Sequence, residues 1–244
     1  MLKHIKNLDI NYIDYGEGKN EIVLLHGWGQ NIEMMKPVGD KLKKSNRIII
    51  IDLPGFGNSS EPDTIWTMYD YTDAVKELLD SLKVKKPILV GHSFGGKISL
   101  IYASKYKVDK LILFGSPYKK EIKKLSTKTK VLKALKKVPL LNKLEGFAKK
   151  HIGSTDYKKA SDVMRKILVE HVNLDITSDV KKITCPTLLV WGTLDSEVPL
   201  TEAYELEKLI SDSAVIEYKG CTHYAYLENL NQTVNIIKNF VGDE

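Results

Sequence analysis

Residues 87–97 read PILVGHSFGGK. Pro87–Val90 is a short apolar run, the pattern of a strand covered on both faces. Glycines interrupt it at Gly91, Gly95 and Gly96, and from Lys97 to Tyr106 the apolar residues follow a helical period. A strand that turns this sharply into a helix holds its central residue, Ser93, in a strained conformation. It also aims the unpaired N–H groups of the helix start at the same spot. Gly91–Gly95 fits G-x-S-x-G, but an ordinary glycine-rich turn fits it too, so the surrounding sequence has to decide.

Working outward, the chain alternates. Leu8–Tyr15 reads as a strand, Gly16–Asn20 as a turn and Glu21–Leu25 as a buried strand leading into the loop HGWGQN. On this reading the first forty residues are strands and turns. Arg47–Ile51 (RIIII) is a second buried strand, ending in the turn cluster DLPGFGNSS. Tyr71, Val75, Leu78, Leu79 and Leu82 have helical spacing, and Lys110–Phe114 is again a strand. From Tyr118 to Asp179 no strand-like run occurs. Regular order resumes with a strand at Thr187–Trp191, a helix near Thr201–Ile210, a strand at Ala214–Tyr218 and a helix near Leu230–Val241. Strands alternating with helices predict an α/β fold, with a mostly parallel central sheet and helices on both faces. Residues 1–117 and 179–244 form its core, and 118–178 reads as an inserted helical cap.

A serine hydroxyl needs a base to become a nucleophile, and the base needs an acid to fix its tautomer. His223 stands in GCTHYAYLEN, after the last expected strand and at the same sheet edge as Ser93. Asp195, in WGTLDSEVP, follows the strand TLLVW at that edge; Glu197 is its nearby competitor, and a turn-forming aspartate is the plain alternative. His26 opens a glycine-rich loop with no acid close in sequence. The His92 side chain, beside Ser93, is expected to point elsewhere. The chain order Ser93, Asp195, His223 is the nucleophile–acid–base order of one enzyme fold.

With HGWG at 26–29, DLPGFGNS at 52–59, GHSFGG at 91–96, WGTLDSEVP at 191–199 and GCTHY at 220–224, the chain resembles the α/β-hydrolase superfamily along nearly its whole length. It looks most like small bacterial esterases and C–C bond hydrolases. The resemblance implies an oxyanion hole made by the backbone N–H groups of Trp28 and Phe94. It also implies a substrate pocket near His26, Gly27, Trp28 and Phe94, and a cap in the 118–178 segment. Relatives that displace halide or open epoxides use an aspartate where this chain has Ser93. Some relatives that act on carboxylates carry arginine after the paired glycines; here Lys97 stands there, read as a solvated helix lysine. The expected activity is hydrolysis of a small acyl ester or thioester through an acyl-enzyme. The alternatives are a C–C hydrolase or lyase step, or ligand binding without turnover.

Composition narrows the remaining classes. The chain has 244 residues, 43% hydrophobic and 28% charged, ordinary for a globular domain. The net charge of +6 is concentrated: residues 118–170 hold sixteen Lys/Arg against five Asp/Glu, and the remainder is net acidic. Only Arg47 and Arg165 are arginines, so the forked donors that read guanine and phosphate are scarce, and no nucleic-acid partner is expected. The cap segment VLKALKKVPLLNKLEGFAKK places Leu141, Leu144 and Phe147 or Ala148 at helical spacing among lysines. It reads as a helix with one face over a cleft, with weak docking on an anionic membrane surface as an alternative. No metal or cofactor motif is present: neither glycine-rich loop has phosphate-binding spacing, and Cys185 and Cys221 lie in no ligand pattern. Two cysteines, no secretory h-region in MLKHIKNLDINY and no run near the ~20 residues of a membrane span point to the cytoplasm. Oligomeric state is not readable from these features.

Overall fold

Each apolar run divides its side chains between two cores, as the two-residue period of a strand requires. Val23 and Leu25 face one side while Ile22 and Leu24 face the other; Ile49 and Ile51 oppose Ile48 and Ile50, and Leu111 and Leu113 oppose Ile112 and Phe114. This is the signature of a central sheet buried on both faces. The structure, a computed structural model, describes residues 1–120 and 160–242.

The described residues form an eight-stranded sheet in the order β1-β2-β4-β3-β5-β6-β7-β8. The strands are β1 (Leu2–Ile5), β2 (Leu8–Tyr15), β3 (Asn20–Leu25), β4 (Asn46–Ile51), β5 (Ile88–His92), β6 (Lys110–Phe114), β7 (Thr187–Gly192) and β8 (Ser213–Tyr218). β1 and β2 run antiparallel at one edge; from β4 to β8 every pairing is parallel. All carboxyl ends from β3 to β8 therefore open on one edge, where such sheets place their ligands.

Helices cover both faces. Residues of α1 (Ile32–Leu42) and α8 (Leu230–Val241) fill one core, with α7 (Ala225–Glu228) beside them. Residues of α2 (Met68–Ser81), α3 (Phe94–Lys105) and α6 (Leu200–Leu209) fill the other. Between β6 and β7 the described part of the insertion is helical: α4 (Asp162–Asn173) and α5 (Thr177–Val180). The rest of the expected cap, including Leu141, Leu144, Phe147, Ala148 and most of its lysines, lies outside the described residues. Among the described residues no helix is long and apolar enough to cross a membrane.

The first forty residues depart from expectation, because α1 lies within them. Pro37 and Gly39 argue against a helix. The Asn31 side chain nonetheless caps it by accepting from Glu33 N–H at 3.0 Å, and Ile32, Met35, Val38 and Leu42 are buried on one face. Gly39 is the point where α1 presses on the sheet: a Cβ there would stand 2.7 Å from Tyr15 Oη and 2.9 Å from an Ile48 methyl.

Candidate active site

Ser93 has φ 50° and ψ −110°, a left-handed conformation that few non-glycine residues adopt. It is held there from both sides. Its N–H donates to Phe114 O at 2.9 Å, and its carbonyl accepts from Lys97 N–H at 3.0 Å. The turn also needs Gly95, whose N–H donates to His26 O; a Cβ there would lie 2.5 Å from Leu25 O and 2.6 Å from His26 O. A strained, non-glycine residue between a parallel strand and a helix is what the elbow reading of G-x-S-x-G demands.

Asp195 and His223 meet. His223 Nδ1 lies 2.8 Å from Asp195 Oδ2. Asp195 Oδ1 accepts from the N–H groups of Glu197 and Val198, both at 2.9 Å, so the carboxylate is fixed by three hydrogen bonds and its side chain is fully buried. Glu197 serves the arrangement through its backbone alone. Because an ionised aspartate only accepts, this contact calls for a hydrogen on His223 Nδ1. Gly115 adjoins both groups: it follows Phe114, whose carbonyl holds the Ser93 N–H, and a Cβ on it would stand 2.8 Å from His223 Nδ1 and 2.9 Å from Asp195 Oδ2. Gly115 has φ +49°.

The HGWG and DLPGFGNS motifs are two loops braced against each other. His26 is fully buried; its Nδ1 contacts Gly27 O at 2.7 Å and its Nε2 accepts from Leu53 N–H at 3.0 Å. Both ring nitrogens are committed to backbone, so His26 ties the loops together and offers no free nitrogen to a ligand. Burial pushes its pKa down to about 4, against the opposing pull of the Gly27 carbonyl and the Asp52 carboxylate. Asp52 accepts from Ile32 N–H, Asn58 N–H and Asn11 Nδ2, joining the start of α1 to the second loop. The Trp28, Phe56 and Phe94 rings pack edge to face, with Trp28 4.9 Å from Phe56 and 5.3 Å from Phe94 between centroids. Among the described residues neither the Trp28 nor the Phe94 amide N–H has a hydrogen-bond acceptor.

Three further residues surround the site. The His92 ring lies 4.7 Å from the His223 ring, and His92 Nε2 is 3.1 Å from the His223 carbonyl. Burial, with His223 beside it, lowers its pKa well below the ordinary histidine value. Lys97 is not the solvated lysine its type suggests. It is fully buried, and its Nζ donates to the carbonyls of His171 at 2.8 Å and Leu174 at 3.0 Å. The signal was in its neighbours: Ile98, Leu100, Ile101 and Tyr102 are apolar all round α3, and such a helix is buried whole. His171, absent from the expected set, rests its ring edge on Phe94 at 4.8 Å. Ser161 as N-cap, followed by Met164, Ile167 and His171 on one helical face, was the readable trace of α4.

The chain has known relatives over most of its length. A family model described as the alpha/beta hydrolase fold matches residues 20–136. The AB hydrolase superfamily protein YisY of Bacillus subtilis is 28% identical over 253 residues, covering 93% of each chain. A pimeloyl-acyl-carrier-protein methyl ester esterase of Aliivibrio fischeri is 25% identical, covering 93% of this chain and 95% of its own. A 2-hydroxy-6-oxononadienedioate/2-hydroxy-6-oxononatrienedioate hydrolase of Pseudomonas putida is 26% identical, covering 96% and 92%. With this parallel sheet, a strained serine turn at the end of β5 and relatives aligned along more than nine-tenths of its length, the protein has the α/β-hydrolase fold and is similar to enzymes of that superfamily.

Proposed function

We propose that the protein is a serine hydrolase acting on small carboxylic esters or thioesters through an acyl-enzyme. The observation that carries the reading is the 2.8 Å His223–Asp195 contact at the sheet edge where Ser93 is held in its strained turn. In this mechanism His223 Nε2 takes the Ser93 hydroxyl proton as Oγ attacks the carbonyl carbon. Asp195 keeps the proton of His223 on Nδ1 and stabilises the imidazolium that forms. The Trp28 and Phe94 N–H groups donate to the oxyanion, each worth roughly 3–4 kcal/mol in the transition state. His223 returns its proton to the leaving alcohol or thiol. Water then attacks the acyl-enzyme by the same route and releases Ser93.

The aromatic lining of Trp28, Phe56 and Phe94 supports an apolar acyl group. The likeness to the Pseudomonas putida hydrolase supports a second reading, in which water cleaves a C–C bond beside a ketone at the same serine.

The test is hydrolysis of p-nitrophenyl esters from acetate to decanoate by wild type and Ser93→Ala. Turnover that falls by about 10⁴-fold in Ser93→Ala supports the reading. Turnover unchanged by the substitution overturns it. No ester turnover, with cleavage of a 1,5-diketone instead, selects the C–C reading.

A further inference from the structure

Lys97 lies one helical turn beyond Ser93, and its ammonium is buried under the carboxyl end of α4. The last carbonyls of a helix have no partner within it, and the helix dipole makes that end negative. Lys97 answers both needs, donating to two of these carbonyls across a sequence gap of more than seventy residues. The rest of α4 is seated by packing: Met164, Ile167 and His171 are buried along one face. The Met164 sulfur lies 4.0 Å from Tyr71 Oη.

What this docking controls is close to the reaction. The His171 ring rests on Phe94, which in turn packs on Trp28 and Tyr71, at 5.3 Å and 5.1 Å between centroids. Among the described residues, neither the Phe94 nor the Trp28 amide N–H has an acceptor. His171 is itself nine-tenths buried, and among the described residues its Nδ1 has no hydrogen-bond partner. A shift of α4 therefore moves a wall of the site and leaves the Asp195–His223 pair, held from β7 and β8, in place.

We propose that Lys97 is a positioning residue: it latches α4 onto the helix that follows Ser93, and so sets the acyl-group specificity of the site through the His171–Phe94 contact. The specificity half of this rests on the esterase reading above; the latch itself does not. Lys97 is thus not a surface charge: it is fully buried, and two of its donors go to the carboxyl end of α4.

The experiment compares wild type, Lys97→Met and Lys97→Arg by amide hydrogen exchange and by the ester series. In Lys97→Met, exchange over 162–173 is expected to quicken at least tenfold while β5 and β6 keep their protection. KM for octanoate is expected to rise about tenfold or more, with kcat/KM for acetate within about threefold of wild type. Lys97→Arg, which keeps the donors, is expected to recover much of both. Unchanged exchange in α4 overturns the latch. Faster exchange spread evenly over the chain, with an unaltered chain-length profile, reduces Lys97 to a general stability residue and also overturns it. Should Lys97→Met not fold, Lys97→Gln carries the same comparison with uncharged donors. Should the wild type hydrolyse no ester, the function reading fails alone and the exchange arm still decides the latch.

Discussion

The His92 ring supports His223 from below: the ring centroids are 4.7 Å apart, and His92 Nε2 reaches the His223 carbonyl at 3.1 Å. The x of G-x-S-x-G thus orients the loop of the expected base. His92→Phe keeps an aromatic ring and removes the polar contacts to the His223 carbonyl and to Gln30 Oε1. We expect kcat to fall about tenfold with KM little changed, and stability to fall by about 1 kcal/mol. Steady-state kinetics and urea denaturation check this; unchanged kcat would show that the ring contact alone suffices.

Gly115→Ala tests the geometry of the pair directly. The new Cβ would stand within 3 Å of both His223 Nδ1 and Asp195 Oδ2, at a backbone φ of +49° that disfavours any side chain. The His223–Asp195 contact has to open. Activity should drop by about 100-fold or more while the circular-dichroism spectrum stays that of wild type, since a misplacement of this size is costly to catalysis.

Asp195→Asn separates charge from shape. An asparagine oxygen can still accept from Glu197 and Val198, but its amide then faces His223 Nδ1 and reverses the tautomer. Loss of about 10⁴ in kcat is expected. Labelling by a fluorophosphonate should slow in parallel, because Ser93 loses its base.

Three buried histidines give stability a pH dependence. His26 is lowered to about 4 by burial; His92 and His171 are lowered well below 6.5, His171 by burial and by Lys97. Unfolded, each returns to about 6.5 and binds a proton that the folded state refuses. Stability is therefore fully present above about 6.5 and is lost as pH falls towards 4, by about 1.4 kcal/mol per pH unit for each proton of difference. Urea midpoints should fall between pH 7 and pH 5. In His26→Asn the slope should be shallower by about one proton, whatever the variant's stability at pH 7; an unchanged slope would refute the assignment.

The buried strands were legible because their environment is uniform. In β4, Ile48–Ile51 are apolar on both faces, and only a doubly covered strand tolerates that. Asp195 stood out because it follows β7, a strand buried along most of its length, whereas His223 follows the half-exposed edge strand β8 and was placed by its position between that strand and the last helix. What escaped the sequence depends on packing between distant segments. α1 was obscured by Pro37 and by Gly39, whose value lies in its close approach to Tyr15 and Ile48. Lys97 was misplaced because its partners are backbone carbonyls at 171 and 174, which carry no residue-type signal. His26 keeps its expected place on the loop, but its nitrogens brace two backbones.

The groups assigned to chemistry leave the sheet from β5, β7 and β8, the last beginning at Ser213. Ser93 and His223 are 130 residues apart, and nothing local brings them together. On the proposed mechanism, a chain that stops short of β8 would carry a nucleophile with no base. Hydrolysis therefore reports on completion of the whole sheet: in a refolding experiment, activity should return with the pairing of β7 and β8, after the helices are already visible.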